Sequence, residues 1–423
     1  MHPTPHISPL QVASGMLTRG YPFISETCAR LETDVFTVHA GPLDLIFLRG
    51  AETARLFYDQ DRFRRGGALP LRVRKPIFGA ETVHIHDGET HRWRKSLFLF
   101  LLEEGPVEAL VREFTRAWHA RAVRWETQGE VHFLREIEDV LCRAVCDWAG
   151  VPLPNAELRL RASDFVAMFD APVAVGPRYW RGLLGRRRGE AWLGDLIERV
   201  RAGTLDPPEG SALRRVALFR GPDGALLDPS TAVSELINIL RPTVAVSRYL
   251  TFAALALHDH PEERARVAGG DPAYAEAFTH EVRRVYPFIP TLAARVREGF
   301  EWRGHAFPKN ALAILDLYGT NHDGRVWADP DEFRPERFLA WDGDAFTFIP
   351  QGGSEYVRHH RCPGERITVA LMNAGTRLLA RELAYEVPRQ DLTVRLNRIP
   401  ALPESGFVLR KVRRVPETGA APV

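Results

Sequence analysis

The sequence predicts a mainly α-helical protein of the α+β class, in which a helical body carries small β-sheets. Two observations favour this class. Long segments carry apolar residues at spacings of three and four, as amphipathic helices do, and most of the chain falls in such segments. The short strand-like pieces do not alternate with helices, which argues against a repeated β–α–β arrangement. We expect one domain covering residues 1–423.

The elements can be placed in chain order. Residues Val35 to Leu48 are mostly apolar on either side of Gly41-Pro42, which is typical of a β-hairpin. Amphipathic helices are predicted at Glu108 to Ala122, Val131 to Trp148, Ala191 to Ala202 and Ile367 to Leu383. Short strands are predicted at Ala293 to Val296, Phe300 to Trp302, Ala311 to Leu317, near Val394, and at Phe407 to Leu409.

The most informative predicted helix runs from Asp228-Pro229 to His260-Pro261. Asp228 is an acceptor cap, Pro229 suits the first helical position, and ~31 residues rising ~1.5 Å each span ~46 Å. Arg241-Pro242 interrupts the apolar centre. Pro242 cannot donate to the carbonyl of Asn238, so we expect a kink that costs ~3 kcal/mol unless it is offset. A buried Arg241 requires an anion, because a guanidinium keeps its proton.

Composition excludes several classes of protein. Lys and Arg number 56 against 54 Asp and Glu, a net charge of +2 that argues against a nucleic-acid binder. The longest apolar runs, Leu97 to Leu102 and Tyr249 to Leu257, are shorter than the ~20 residues of a membrane span. The start of the chain, Met1-His2-Pro3, lacks the features of a secretory signal, and four cysteines suit a reducing compartment. We expect a cytoplasmic protein with no membrane span and no nucleic-acid partner.

Most familiar site motifs are absent from the sequence, including HExxH, the P-loop, GxGxxG, GxSxG and CxxC. His84-Ile85-His86 could bind a metal, but no third ligand stands out. Cys142 and Cys146 share a helix face and are expected to fill core volume.

Cys362 differs from the other cysteines, because Pro363-Gly364 and a helical pattern follow it. A sulfur at a helix N-terminus is expected to have a pKa below ~8.5, although a lone cysteine there could also be structural.

Three further motifs occur in order along the second half of the chain. They are Glu281-Val282-Arg283-Arg284, an ExxR helix signature; Asn321-His322-Asp323 with the later Pro335-Glu336-Arg337-Phe338; and Phe348 followed by Cys362-Pro363-Gly364. This ordered set resembles the cytochrome P-450 family of thiolate-ligated haem enzymes. The resemblance implies a cytochrome P-450 fold around a buried haem b, with Cys362 as axial iron ligand. It also implies that Glu281 and Arg284 pair with the Arg337 region to support the haem-binding loop.

Two departures from the general family pattern narrow the resemblance. The loop from Phe348 to Cys362 is longer than in most members, and Arg241-Pro242 stands where the central helix usually carries an acid and a threonine. Together with the run Ile349-Pro350-Gln351-Gly352-Gly353, these departures resemble the bacterial fatty-acid peroxygenase branch of hydroxylases and decarboxylases. That branch implies a fatty acid as substrate, hydrogen peroxide as oxidant and no obligatory redox partner.

Arg241 and Pro242 are the predicted catalytic pair of the central helix. The planar guanidinium fork suits a carboxylate, and an acid held there leaves its Cα and Cβ nearest the iron. The expected products are 2- or 3-hydroxy acids, or terminal alkenes after decarboxylation. Two alternatives remain, in which Arg241 pairs with a protein carboxylate such as Glu235 or with a haem propionate.

His84 is the third predicted catalytic residue. In the peroxygenase branch this position is commonly Gln in hydroxylating members and His in alkene-forming members. An imidazole there could donate a hydrogen bond or a proton, or could simply line the pocket. Phe78 is expected to contact the alkyl chain of the substrate or to pack in the core. The family pattern assigns the haem propionates to His91, Lys95, Arg295 and His360.

Two other functions stay open at this point. One is a conventional cytochrome P-450 monooxygenase that receives electrons from a redox partner. The other is a thiolate haem protein that binds ligands without turnover. The sequence feature that favours the peroxygenase over the monooxygenase is Arg241-Pro242 in place of an acid and a threonine.

Overall fold

Helices make up most of the chain in the computed structural model, which describes residues 4–415. Within that range the α-helices are α1 Pro9–Thr18, α2 Phe23–Arg30, α3 Ala51–Phe57, α4 Leu71–Ile77, α5 Gly88–Ser96, α6 Glu104–Trp125, α7 Phe133–Ala149, α8 Leu158–Asp170, α9 Pro177–Arg201, α10 Ala212–Ala217, α11 Pro229–Ala245, α12 Ser247–Asp259, α13 Pro261–Ala268, α14 Pro272–Val285, α15 Leu317–Asn321 and α16 Glu365–Arg377. Short 3₁₀ turns cover Val83–Ile85, Leu99–Leu102, Asn155–Glu157 and Pro335–Phe338, and a π-helical turn covers Leu378–Glu382.

The strands are short and, within residues 4–415, form three small sheets. They are β1 Val35–Ala40, β2 Leu43–Arg49, β3 Phe63–Arg64, β4 Glu130–His132, β5 Thr291–Val296, β6 Phe300–Trp302, β7 His305–Phe307, β8 Leu312–Asp316, β9 Leu383–Glu386 and β10 Val408–Arg414. One sheet has the order β1-β2-β8-β5-β3, a second has the order β4-β10-β9, and β6 pairs with β7. Only β2 and β8 run parallel among these described strands.

Most predicted elements are confirmed, with shifted ends. The hairpin pairs Val35 with Leu48 and Ala40 with Leu43. The predicted helix from Val131 was wrong at its first two residues, which belong to β4 and pair with β10. The predicted helix to Leu383 was too long, because its last turn widens to a π-helical turn and Leu383 begins β9. Val394 forms a single bridge with Pro403 rather than a strand.

The helix predicted from Asp228 to His260, with a kink expected at Pro242, is divided into two helices at Val246, so the prediction of a single long helix was wrong. The carboxylate of Asp228 accepts from the backbone N–H of Thr231 at 3.1 Å, as expected of the cap. The break falls at Val246, four residues beyond Pro242, where the N–H of Val246 donates to the carbonyl of Thr243 at 3.2 Å. The break between α11 and α12 is therefore a single tightened turn.

The hydrophobic core lies mainly among the helices. Its largest cluster joins α6, α7, α8, α11, α12 and α16, and contains Trp118, Phe133, Leu240 and Leu371. Cys142 and Cys146 are fully buried in it, as predicted. A smaller cluster covers the five-stranded sheet.

In residues 4–415 no helix combines the length and apolar character needed to cross a bilayer. The predicted single domain includes residues 1–3 and 416–423, which lie outside the described residues, and it stays a prediction.

Candidate active site

A cavity of about 220 Å³ lies between the middle of α11, the segment from α4 to α5 and the start of α16. Its wall is mostly apolar, with Phe78, Phe98, Phe169 and Phe288 among the larger side chains. The predicted site residues that line it are Phe78, His84, His91, Lys95, Arg241, Pro242, His360 and Cys362. The structure thus brings together residues that are up to 284 positions apart along the chain.

Cys362 lies on the cavity wall just before α16, which begins at Glu365. The side-chain amide of Gln351 points at its sulfur, with Nε2 at 3.9 Å from Sγ. The prediction of a lowered thiol pKa was wrong for the protein alone. Burial raises the pKa of Cys362, and this outweighs the backbone N–H of Gly364 and the positive charge of Lys95, which both favour thiolate. A metal ion bound to the sulfur reverses this balance, because a coordinating thiol is deprotonated.

Three of the predicted cationic or hydrogen-bonding residues meet beside Cys362. His91 stacks on His360 with ring centroids 3.8 Å apart. Lys95, only 3% exposed, donates to the carbonyls of His359 and Arg361, so it also holds the loop that carries the cysteine. Burial lowers the pKa of His91 to about 4 and that of Lys95 to about 8. An anionic group placed here would favour the protonated forms of both side chains.

The structure does not bring Arg295 to this group. Its guanidinium donates to the carbonyls of Gly67 at 2.8 Å and Asn310 at 2.7 Å, and it is not among the described residues that line the cavity. Arg295 lies on β5, where it pairs with Arg64 of the edge strand β3. Arg295 therefore lies in the predicted strand after the ExxR helix, but its side chain points toward Gly67 and Asn310 and not into the cavity.

Arg241 is a buried charge that has no counterion among residues 4–415. It is 3% exposed, its Nε has no hydrogen-bond partner in the described structure, and its Nη2 reaches Asn238 Oδ1 at 3.4 Å. The alternative pairing with Glu235 is wrong, because that carboxylate forms an ion pair with Arg94 at 3.1 Å. Burial and the positive charge of Arg186 lower the pKa of Arg241 to about 9. The guanidinium remains charged at neutral pH and still needs an anion.

His84 lies next to Arg241 on the cavity wall. Its Nδ1 is 2.8 Å from the hydroxyl of Thr82, and its ring stacks on Phe78 with centroids 4.0 Å apart. The face of Phe78 is also 5.6 Å from the guanidinium carbon of Arg241. Burial and the charges of Arg241 and Lys95 lower the pKa of His84 to about 3. The imidazole is therefore neutral at neutral pH, so it carries one N–H donor and one acceptor nitrogen and is not an imidazolium acid.

The helix position beside Pro242 carries a threonine, but without an accompanying acid. The hydroxyl of Thr243 donates to the carbonyl of Ile239 at 2.9 Å, within its own helix. No Asp or Glu is present among the described residues that line the cavity. Nor do residues 4–415 hold a group of three His, Cys, Asp or Glu arranged for a metal, so His84-Ile85-His86 has no third ligand.

Glu281 and Arg284 of the ExxR signature belong to an ion cluster on the other side of the loop that carries Cys362. Its charged groups all have hydrogen-bond partners, and it is named here the saturated cluster. Glu281 and Arg284 are fully buried and share two hydrogen bonds of 2.7 Å. Arg337 reaches the same carboxylate at 3.1 Å, and the backbone N–H of Arg334 reaches it at 2.7 Å. Arg284 also donates to three carbonyls of the segment 321–332. The cluster ties α14 to the chain that leads into the cysteine loop.

Solved structures similar to this chain cover nearly its whole length. Cytochrome P450SP alpha (CYP152B1) in complex with (R)-ibuprophen is 46% identical, with a TM-score of 0.92, and the alignment covers 95% of this chain and 98% of that one. Cytochrome P450EX alpha (CYP152N1) with myristic acid is 37% identical, with a TM-score of 0.93 and coverage of 97% and 99%. A variant of the P-450 enzyme OleT in complex with arachidonic acid is 36% identical, with a TM-score of 0.94 and coverage of 98% and 100%.

The chain belongs to the cytochrome P-450 family. The model of that family matches residues 271–406. The predicted cytochrome P-450 fold and the predicted place in the bacterial fatty-acid peroxygenase branch are both confirmed by these similarities. Haem b bound through a cysteine thiolate is accordingly the cofactor of this cytochrome P-450.

Curated relatives agree with the family but match shorter stretches. Cytochrome P-450 3A15 of Cavia porcellus is 31% identical over 148 residues, which are 33% of this chain and 28% of that protein. A putative cytochrome P-450 139 of Mycobacterium tuberculosis is 24% identical over 381 residues, which are 81% of this chain and 86% of that protein. The match spans only 19% to 28% of the length of the first three curated relatives.

The donor set of the cavity fits haem b. A thiol at the N-terminal end of α16 suits an iron ligand, and His91, Lys95 and His360 beside it suit the two propionates. Sequence analysis missed Gln351 and Asn238, which also line the cavity. Asn238 could have been found from its spacing, because it lies three residues before Arg241 on one helix face. Gln351 lies in an irregular loop, where no spacing rule indicates the direction of a side chain.

Proposed function

We propose that this protein is a haem-thiolate peroxygenase that uses hydrogen peroxide to oxidise long-chain fatty acids. It hydroxylates them at Cα or Cβ to 2- or 3-hydroxy acids, or decarboxylates them to terminal alkenes. The observation that carries the proposal is the buried guanidinium of Arg241, which faces the cavity without a counterion.

The missing counterion is a carboxylate of the substrate. A buried charge without a partner is costly, and a planar guanidinium is best neutralised by a carboxylate that accepts two parallel hydrogen bonds. The ligands named for the three similar structures, (R)-ibuprophen, myristic acid and arachidonic acid, are all carboxylic acids. The rest of the cavity wall offers aromatic and aliphatic contacts suited to an alkyl chain, including Phe78, Phe169 and Phe288.

The residues of this chain hold the cofactor and orient the acid. Cys362 is the iron ligand, and His91, Lys95 and His360 bind the propionates. When bound, thiolate-ligated haem supplies the redox chemistry, including the electron donation that favours O–O cleavage. Arg241 fixes the carboxylate and thereby places Cα and Cβ, not more distant carbons, at the reacting centre. The acid held by Arg241 also provides a carboxylate inside a cavity whose described lining contains no Asp or Glu.

Peroxide as oxidant follows from what the central helix lacks. A monooxygenase needs protons delivered to bound dioxygen, and the hydroxyl of Thr243 is already donated to its own helix without a neighbouring acid. Hydrogen peroxide carries both oxygens and both protons, so neither an electron-transfer partner nor that relay is required.

We also propose a cytoplasmic location, in keeping with four cysteines that are all unpaired.

The proposal is tested with purified holoenzyme, hydrogen peroxide and a series of saturated fatty acids, with products identified by mass spectrometry. We expect hydroxy acids or alkenes with peroxide alone. Arg241→Ala should abolish turnover and the fatty-acid-induced shift of the Soret band while haem content stays unchanged, and Arg241→Lys should restore part of the shift. Turnover with a reductase and NADPH but never with peroxide would instead identify a monooxygenase. Soret shifts without any product would identify a ligand-binding protein.

A further inference from the structure

A continuous set of hydrogen bonds connects His84 to a buried ion pair that the proposed reaction does not use. Its members are Arg94, Glu235, Asn238, Thr82 and His84, named here the tautomer network. Thr82 and Glu235 are fully buried, and Arg94 and Asn238 are less than 9% exposed. With so little access to water, the direction of each hydrogen bond is decided by the neighbouring member.

The network starts at the carboxylate of Glu235. Its Oε1 accepts from the guanidinium of Arg94 at 3.2 Å and from the backbone N–H of Val83 at 2.8 Å. Burial raises the pKa of Glu235, whereas these two donors and the amide of Asn238 favour its ionised form. The ion pair with Arg94 keeps the group a carboxylate, which only accepts hydrogen bonds.

The carboxylate fixes the orientation of the Asn238 amide. Nδ2 of Asn238 is 3.2 Å from Glu235 Oε2 and 3.1 Å from the hydroxyl oxygen of Thr82, while Oδ1 accepts from Arg241 at 3.4 Å. The reverse orientation would place the amide oxygen against a carboxylate and the amide nitrogen against a guanidinium. Both of those contacts are repulsive, so the amide must donate to Thr82.

The hydroxyl of Thr82 then has one direction left for its proton. Its oxygen accepts from the amide of Asn238 and from the backbone N–H of His84 at 3.5 Å, which occupies both lone pairs. Among the described residues, its remaining neighbour is Nδ1 of His84, at 2.8 Å. A buried hydroxyl proton without an acceptor is costly, so Thr82 donates to Nδ1.

We propose that Thr82, oriented by Asn238 and Glu235, fixes the proton of neutral His84 on Nε2, so that the cavity side of the imidazole is a hydrogen-bond donor. A neutral imidazole carries one proton, and Nδ1 is the acceptor here. Nε2 has no partner in the part of the chain that the structure describes, and His84 lines the cavity. Thr82, Asn238 and Glu235 are positioning residues for the proposed reaction, and the inference rests on that proposal only for its role in turnover.

The tautomer decides what the imidazole can do. With the proton on Nε2 the imidazole would offer a hydrogen-bond donor to an oxygen held in the cavity, whereas with the proton on Nδ1 it would offer a lone pair. The stack of Phe78 on the ring keeps the imidazole in one plane, so the network selects the tautomer without reorienting the ring. This arrangement gives a donor that does not need a protonated imidazole.

The first measurement is the infrared C–O stretching frequency of the ferrous carbon monoxide complex, which responds to a hydrogen bond donated above the iron. We expect Thr82→Val to move the wild-type band toward that of His84→Phe, or to split it in two as both tautomers become populated. Thr82→Ser keeps a hydroxyl and should retain the wild-type band. An unchanged band in Thr82→Val, or the same displacement in Thr82→Ser, would overturn the inference.

A second measurement needs no variant, so it holds even where Thr82→Val fails to fold. In the diamagnetic carbon monoxide complex, the ¹⁵N chemical shifts of His84 should show a protonated Nε2 and an unprotonated Nδ1. The opposite assignment contradicts the proposal.

Turnover separates this inference from the proposed function. Thr82→Val should lower kcat with peroxide about tenfold and leave the fatty-acid affinity from Soret titration within about twofold, because Arg241 is untouched. A loss of affinity equal to the loss of kcat would indicate a merely structural role and overturn the inference. If no fatty acid is oxidised but the infrared and ¹⁵N results are as expected, the proposed function fails and the tautomer assignment stands.

Discussion

Two buried arginines of this protein have opposite surroundings. Arg284 is fully buried, shares two hydrogen bonds with Glu281 and donates to three carbonyls. Arg241 is 3% exposed, and among the described residues it makes one long hydrogen bond, to Asn238. Both are costly to bury, but only the cost of Arg284 is offset within the chain. The difference teaches that counting the partners of a buried charge separates a structural ion cluster from a site that awaits a ligand.

The largest effect is expected from breaking the saturated cluster. Glu281→Gln keeps the shape but removes the charge, which leaves the buried Arg284 and the partly buried Arg337 without their shared carboxylate. The free energy of unfolding should fall by ~3–5 kcal/mol, and most of the purified protein should lack haem because the cysteine loop is no longer braced. Urea unfolding and haem content measure the change. A variant with wild-type stability would show that Arg284 is held by its carbonyl contacts alone.

Replacing the unpaired arginine should have the opposite effect on stability. Arg241→Met removes a buried charge and keeps a similar volume, so the free energy of unfolding should stay the same or rise by ~1 kcal/mol or more. The value of kcat/KM for fatty acids should fall at least a hundredfold, which corresponds to ~2.7 kcal/mol of lost transition-state stabilisation. Loss of stability comparable to that of Glu281→Gln would mean that Arg241 has a protein counterion after all.

A histidine near Arg284 of the saturated cluster predicts that the stability of the protein depends on pH. Burial and the charge of Arg284 lower the pKa of His322 to about 4, and Nδ1 of its ring lies 2.8 Å from the carbonyl of Tyr318. Unfolded His322, with a pKa of ~6.5, binds a proton that the folded form does not, so its contribution is present above pH ~6.5 and is lost as the pH falls toward 4. At pH 5 the loss is ~1–2 kcal/mol. His322→Gln should flatten the stability profile between pH 6.5 and 4, and an unchanged slope would assign the acid sensitivity to other groups.

The smallest effect is expected from an exposed arginine. Arg303 pairs with Glu52 on the surface, where their side chains are 59% and 62% exposed. Solvent screening leaves such a pair little net value, so Arg303→Ala should leave the urea midpoint and fatty-acid turnover unchanged. It is the matched control for the two buried arginines, and a clear loss of stability would show that partner counting alone is not enough.

Local signals account for what could be predicted from sequence. The cap at Asp228, the hairpin turn at Gly41 and the start of α16 after Cys362 depend on residues within a few positions, and all appear where expected. The pairing of Glu281 with Arg284 was implied by the family resemblance, and their spacing of three residues on one helix is compatible with it. The contact of Arg337 with Glu281 was also predicted from the family resemblance, because a contact across 56 residues has no local sequence signal.

The predictions that were wrong depend on contacts between distant parts of the chain or on how deeply a charged group is buried. Whether Arg295 faces the cavity or the carbonyls of Gly67 depends on strands that are more than 200 residues apart. The pKa of Cys362 depends on how much desolvation opposes the helix terminus, which spacing does not reveal. Likewise the contact of Glu235 with Arg94, 141 positions away, removed a candidate counterion of Arg241 and created the tautomer network.

The burial of Lys95 has a practical consequence for chemical modification. The chain has four lysines, of which Lys75, Lys309 and Lys411 are exposed, while the ammonium of Lys95 is enclosed by the loop that carries Cys362. None of the three exposed lysines lines the cavity. Among the lysines, amine-reactive dyes or resins should therefore attach to Lys75, Lys309 and Lys411, and immobilised enzyme should keep an unmodified Lys95.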